Sequence, residues 1–238
     1  MIKANWPLKH LTAFTTTREG GISESPYNNF NLAQHVNDSV DHVNNNRAHL
    51  KTLCNNKTIL WLQQQHTINV IEEKLWHPDI IADGCYLHHS SKVAVALTAD
   101  CLPIVIGHQS DNECCVLHAG WPGLSKGIIF SGFKLLKDNP ENYYVWLGPH
   151  IGNQMFEVGE DVYTAFIDLN AEHSTGFKSL GQQKYLCDMV HIAKQQLANV
   201  GIKNVYGGEH CTYSDAQQFF SYRRDGVTGR MATVCYSS

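Results

Sequence analysis

"LTADCLPIVIGHQSDNECCVLHAGWPG", running from Leu97 to Gly123, contains two apolar runs separated by the polar tetrapeptide Gln109–Asn112. Short β-rich runs bounded by turn residues read as strands, and two of them joined by "QSDN" read as a β-hairpin. Counting equal steps back from the turn sets His118 opposite Pro103 or Ile104. Strand alternation then puts Cys114, Val116 and His118 on one face and Cys115 and Leu117 on the other. Cys101 falls two or three residues beyond that pairing. At about 3.3 Å per residue, the Cys101 and His118 side chains can converge within roughly 10 Å. A hydrophobic core asks for neither a cysteine in a Pro-flanked bend nor a histidine at a strand end, so the pair marks a candidate site.

Outward from the hairpin, "KVAVALTAD" and "YYVWLGP" read as buried strands, and residues 11–17, "LTAFTTT", as a further one. "TILWLQQQHTINVIE" reads as a strand pair or a bent strand. Apolar spacing at Val40, Val43, Leu50 and Leu53 predicts a helix from Asp38 to Cys54, with Asp38 or Ser39 as its N-cap. Leu124, Ile128, Ile129, Phe133 and Leu136 mark another helical pattern. Two more helix faces are drawn by Val158, Val162, Phe166 and Leu169, and by Leu186, Met189, Val190, Ala193 and Leu197, with Gly201 as a stop. "KNVYGG", "QQFFSYRR" and "GRMATVCY" close the chain as strand candidates. With no repeat, low-complexity segment or linker, residues 1–238 read as a single α+β domain of mixed β-sheets with helices packed on the outside.

The 238 residues are 43% hydrophobic and 17% charged, with a formal net charge of -4. That balance gives no reason to expect a nucleic-acid partner, and no window reaches the length of a membrane span. The N-terminus lacks a signal-peptide pattern, so the cytoplasm is the expected location. The eight cysteines form no CxxC pair and are expected to be reduced and mostly buried. Of the fourteen histidines, those such as His10, His42, His88, His89 and His173 are expected to be exposed in polar surroundings.

A cysteine and a histidine meeting at strand ends have three readings. They are buried polar groups satisfied by backbone, or a thiolate–base dyad, or metal ligands suited to zinc or copper. A catalytic zinc needs a third protein ligand, and "QQQHT" offers His66. Asp100, beside Cys101, could serve as general acid–base, orient a ligand histidine, or simply bond a turn; Asp83 has the same ambiguity. Asn31 is a candidate for a substrate pocket or for turn chemistry. Arg223 and Arg224, read as strand neighbours, should face opposite sides, so that at most one meets the pocket. Phe219, Phe220 and Tyr222 read as core before a purine-stacking shelf.

Six ordered motifs resemble the YfiH/laccase-domain family, also described as the multicopper polyphenol oxidoreductase or purine nucleoside phosphorylase-like family. They are "TREGGISESPYNNFNLAQHVND", "QQQHT", "TADCLPIVI", "HAGWPG", "LGPHIGNQMFEVGEDV" and "FFSYRRDGVTGRMATV". The resemblance implies that His66, Cys101 and His118 bind one metal ion, zinc before copper, with a position left for water or substrate. It implies phosphorolysis of adenosine, inosine, guanosine or methylthioadenosine, and deamination of adenosine, with purine nucleosides and phosphate as partners. Catalytic roles would fall to Cys101, His118 and Asp100, and substrate contacts to Asn31 and Arg223, in a monomer or homodimer. The deaminase signature H-x-E with P-C-x-x-C is absent. Copper-dependent phenol oxidation and a metal-free cysteine hydrolase using Cys101 and His118 are the alternatives. Two departures stand out: Pro122 replaces the arginine of the family's "HAGWRG", and Met155 replaces a frequent cysteine. The missing cation leaves Arg223, Arg224, Lys126 or Arg18 to hold an anion.

Overall fold

The computed structural model of the chain describes residues 1–238. Its strands begin with β1 (Ile2–Lys3), β2 (Leu11–Thr15), β3 (Ile59–Leu60), β4 (Val70–Glu72), β5 (Gly84–His88) and β6 (Val93–Thr98). They continue with β7 (Leu102–His108), β8 (Glu113–Ala119), β9 (Tyr143–Leu147), β10 (Glu157–Gly159), β11 (Phe177–Gly181), β12 (Lys184–Cys187), β13 (Asn204–Gly207) and β14 (Met231–Ser237). The α-helices are α1 (Val40–Leu53), α2 (Trp121–Ser125), α3 (Ile128–Phe133), α4 (Glu160–Leu169), α5 (Met189–Asn199) and α6 (Tyr222–Asp225).

The hairpin forms the middle of a six-stranded mixed sheet ordered β13-β9-β7-β8-β5-β4. Pro103 pairs with His118, the first of the two registers that counting from the turn allows. A second, five-stranded sheet is ordered β1-β2-β14-β6-β3, and a small one β10-β12-β11. The central strands are buried on both faces, which is why their sequences run nearly continuously apolar. On one face Leu102, Ile104, Ile106, Cys115 and Leu117 pack with Leu124, Ile128, Phe166, Ile192 and Leu197 of the helices. On the other, Val105, Val116, Cys114 and Trp146 meet Ala94, Ala96 and Cys235 of the five-stranded sheet. That sheet's far side buries Val93, Val95 and Val234 against Leu50 of α1. The result is the expected α+β architecture, with mixed sheets stacked between outer helices. No helix is long and apolar enough to cross a membrane.

Local expectations differ in instructive places. The strand read over residues 11–17 ends at Thr15. Helix α1 is capped by Ser39, whose side chain accepts from His42 N. The pattern after "GWPG" breaks into two helices at Gly127, whose φ of +87° suits glycine. Val158 and Leu186, read as helical, lie instead in β10 and β12, paired across the small sheet through neighbouring residues. Short apolar runs do not distinguish strand from helix, and here strand pairing decides. "QQFFSYRR" is not a strand: Phe219 and Phe220 are core, and Tyr222–Asp225 form a helical turn capped by Ser221. The glutamine run makes only an isolated bridge, Gln63 with Ile81, while Gln64 bonds both the N–H and the carbonyl of Leu97 with its side chain. His173, expected to be exposed, is 1% exposed and bonds the Phe166 carbonyl. All eight cysteines are free thiols, and six are buried.

Candidate metal centre

His118, the penultimate residue of β8, lies on the face between the two main sheets, where the register beside β5 delivers Asp83 to it. The His118 Nδ1–H donates to Asp83 Oδ1 at 2.7 Å. Because an ionised carboxylate only accepts, that bond fixes a proton on Nδ1 and leaves Nε2 as the nitrogen that gives up its proton when a metal binds. Asp83 is fully buried and also collects the loop that carries His66. Its carboxylate accepts from the backbone N–H of Gln65, His66 and Thr67 and from the Thr67 hydroxyl, at 2.6–3.2 Å. His66 occupies left-handed backbone, φ +56°, a conformation that a non-glycine residue holds only when its surroundings compensate. Those donated bonds are the compensation.

Cys101 sits at the corner between β6 and β7, next to a second left-handed residue, Asp100, with φ +99°. Asp100 Oδ1 accepts from the Thr212 hydroxyl at 2.6 Å and Oδ2 from the Arg223 N–H at 2.7 Å. Asp100 thus ties the Cys101 corner to the start of α6. Cys101 Sγ lies 3.5 Å from His66 Nε2, and the His66 and His118 rings meet edge to face at 4.7 Å. One ligand atom each from His66, Cys101 and His118 lie within 4.8 Å of one another, a set that could hold a metal ion. Gly120 keeps the space open: a Cβ there would stand 2.5 Å from His66 Cδ2 and 2.9 Å from Cys101 Sγ.

Burial pushes the Cys101 thiol up, but the His118 charge and hydrogen bonds from both imidazoles outweigh it and hold it at about 6. Burial likewise lowers His118, while the Cys101 charge and the Asp83 bond raise it to about 9. Asp83 is held below its ordinary value: burial raises it, and its bonds to His118 and Thr67 prevail. Two ligands thus favour charged forms that attract one another.

A cavity of about 320 Å³ opens beside the cluster, within the size range of small-molecule sites. Trp121, Phe156 and Tyr222 provide aromatic lining and Arg223 a cation. The Arg223 guanidinium lies 5.3 Å from the Phe156 ring centroid and donates to the Glu157 carbonyl. Arg224 is committed elsewhere: it donates to the carbonyls of Thr212, Tyr213 and Phe219 and pairs with Asp225. The two arginines diverge through helical geometry, not strand alternation. Arg18 is spent on the Asn28 and Ala216 carbonyls. Asn31 is not among this cavity's lining residues; its amide makes a local turn with the Ala33 N–H and carbonyl and also bonds Asp38 and the Arg230 N–H. A larger cavity of about 650 Å³ is lined by residues such as Arg47, Trp61 and Trp76, and contains none of His66, Cys101 or His118.

Sequence reasoning assembled the three donor residues but left Asp83 undecided, and it missed Gly120, Trp121 and Phe156. Only "HAGWPG", with its paired glycines after a strand-end histidine, signalled a close approach there.

A family model described as multi-copper polyphenol oxidoreductase laccase matches residues 12–238. The chain is 41% identical over 239 residues to a Haemophilus influenzae protein named purine nucleoside phosphorylase, covering 99% of this chain and 98% of that one. It is 41% identical over 242 residues to the Escherichia coli protein named purine nucleoside phosphorylase YfiH, with 99% and 98% covered. A crystal structure of a Neisseria meningitidis protein superposes with a TM-score of 0.96 at 34% identity, covering 100% of this chain and 98% of that one.

Proposed function

Because this chain belongs to the multi-copper polyphenol oxidoreductase laccase family, we propose that it is a zinc-dependent purine nucleoside phosphorylase that also deaminates adenosine. One observation carries the reading: a His66–Cys101–His118 donor set, of which His66 and Cys101 line an aromatic cavity that also presents Arg223. The donor set fits zinc, since one thiolate and two imidazoles are borderline-soft ligands and three protein ligands leave a position open. The phosphorylase name of the relatives that match nearly the whole chain supports the substrate class.

When bound, zinc would supply an electrophilic centre able to polarise an oxygen or acidify water. The chain's residues do the rest. Asp83 keeps the His118 proton on Nδ1, and Cys101 contributes its thiolate. Trp121, Phe156 and Tyr222 receive the planar base, and Arg223 holds the phosphate in the role left open by Pro122. Held there, a phosphate is oriented toward the ribose carbon, and its charge faces the cation that forms as the glycosidic bond breaks; a phosphate oxygen bonds that carbon to give ribose 1-phosphate, and the purine leaves with a proton taken up from water on its ring nitrogen. Asp100 acts by positioning: its two accepted bonds hold the Arg223 backbone beside the Cys101 corner.

A metal-free cysteine hydrolase is the second reading, favoured by a Cys101 thiol at about 6 beside a His118 at about 9, the charge states of a nucleophile and its partner. Zinc-loaded protein incubated with adenosine, with and without phosphate, separates the possibilities by product mass. Adenine with ribose 1-phosphate supports phosphorolysis, and inosine supports deamination. Absence of both overturns the proposal, and activity that survives chelation and His66→Ala transfers the assignment to the cysteine hydrolase. Copper loading with a phenolic substrate tests the oxidase alternative.

A further inference from the structure

We propose that His88, His89 and Asp111 form a second metal site, distinct from the His66 cluster and taking a borderline divalent ion such as zinc. Their three ligand atoms lie within 4.8 Å of one another. His88 Nε2 stands 3.3 Å from Asp111 Oδ2, and His89 Nε2 stands 3.1 Å from Asp111 Oδ1. Ligands bound at about 2.0–2.2 Å to a tetrahedral ion are separated by about 3.4 Å, and each imidazole nitrogen stands near that distance from one of the two carboxylate oxygens. All three ligand atoms lie within that 4.8 Å bound, and rotation of the exposed imidazoles can bring both onto one centre.

The backbone explains why these groups converge. Consecutive strand residues point to opposite faces, so two neighbouring histidines on β5 should diverge. His89 instead adopts left-handed backbone, φ +49°, immediately past the end of β5. This turn brings the two rings to a centroid separation of 4.4 Å. The turn is held by the hairpin: His88 pairs with Glu113, and the His89 N–H donates to the Asn112 carbonyl at 2.8 Å. Asp111 is fixed in the same loop, its N–H donating to His108 Nδ1 at 2.8 Å and its Oδ1 accepting from the Asn112 N–H at 2.7 Å. A third imidazole, His10, reaches the Asp111 carbonyl at 3.0 Å from the segment before β2. Two imidazoles and a carboxylate suit zinc, with nickel(II) and copper(II) bound on the same ligands according to their place in the affinity series. An ion there would clip the end of β5 to the tip of the β7–β8 hairpin.

The test titrates the metal-stripped full-length protein with cobalt(II), a spectroscopic substitute for zinc, and counts equivalents bound. An ion at Cys101 carries thiolate-to-metal absorption, whereas one at the imidazole–carboxylate site does not. The expected result is an equivalent without the thiolate band that is lost in His89→Gln and in Asp111→Asn but retained in Cys101→Ser. Thermal melting of the variants without metal confirms folding, because the substituted side chains lie at the surface. Zinc should also raise the melting midpoint of Cys101→Ser and leave that of Cys101→Ser combined with His89→Gln unmoved. Absence of the band-free equivalent, or its survival in both His89→Gln and Asp111→Asn, overturns the site whatever happens at Cys101.

Discussion

Replacing Asp83 by asparagine changes one buried oxygen into an NH2 group at nearly constant volume, and five donors converge on that carboxylate. If the new NH2 takes the Oδ2 place, it faces the N–H groups of Gln65 and Thr67. If it takes the Oδ1 place, it meets His118 Nδ1 and the His66 N–H. The imidazole can relieve that clash only by moving its proton to Nε2, which removes the lone pair a metal needs. Either way, donors are left unpaired at a fully buried position. Breaking a buried charged pair costs about 3–5 kcal/mol. At about 2–4 °C per kcal/mol for a chain of this size, the melting midpoint should fall by roughly 10 °C. Loss of a carboxylate behind a ligand histidine lowers metal affinity by about 10–100-fold. Competition against a chromophoric chelator measures the affinity and circular dichroism the melting. An Asp83→Asn protein whose affinity stays within about twofold of the parent, with an unmoved midpoint, would refute the claim that Asp83 organises the site.

Gly120→Ala should weaken metal binding by at least about tenfold, about 1.4 kcal/mol, since its Cβ would stand 2.9 Å from Cys101 Sγ; equilibrium dialysis reads this, and unchanged affinity contradicts the packing argument. In metal-free protein, the Cys101 thiol is held below its unfolded value, so its contribution to stability is lost as pH falls through about 6. His118 is held above its unfolded value, so its contribution is lost as pH rises through about 9. Melting midpoints should therefore plateau between those limits, and a monotonic trend across them would exclude the thiolate–imidazolium pair. Arg223→Ala should raise KM for phosphate about tenfold, the loss of one charged hydrogen bond of about 1.5 kcal/mol, with stability within about 0.5 kcal/mol of the parent. Arg224→Lys should do the reverse: steady-state kinetics nearly intact but stability down by about 2 kcal/mol or more, because a lysine cannot span the three carbonyls that the guanidinium joins.

The hairpin was legible because two apolar runs flank a four-residue polar tip, which narrowed the partner of His118 to Pro103 or Ile104; strand pairing selects Pro103. The face carrying Cys114, Val116 and His118 was legible for the same reason. Val158 and Leu186 were not, because three- and four-residue strands carry too little periodicity to oppose a helical spacing that continues into α4 and α5. Arg223 and Arg224 were misread with them: Asp100, more than a hundred residues earlier in the chain, accepts from the Arg223 N–H in the first turn and, with the Ser221 cap, satisfies the helix start. Asp83 illustrates the same limit at the site itself. Its residue type fitted a turn as well as a buried partner, and only the pairing of β5 with β8 brings it to His118. The two left-handed corners at His66 and Asp100 carry no glycine to announce them. Each is held by side chains remote in sequence.

The most direct test of the account is a crystal structure of the zinc-loaded protein with anomalous data collected on both sides of the zinc edge. The account predicts a peak bonded to one sulfur at about 2.3 Å, Cys101 Sγ, and to two nitrogens at about 2.0–2.1 Å from His66 and His118. Fully zinc-loaded protein with no anomalous peak between those three side chains would contradict it.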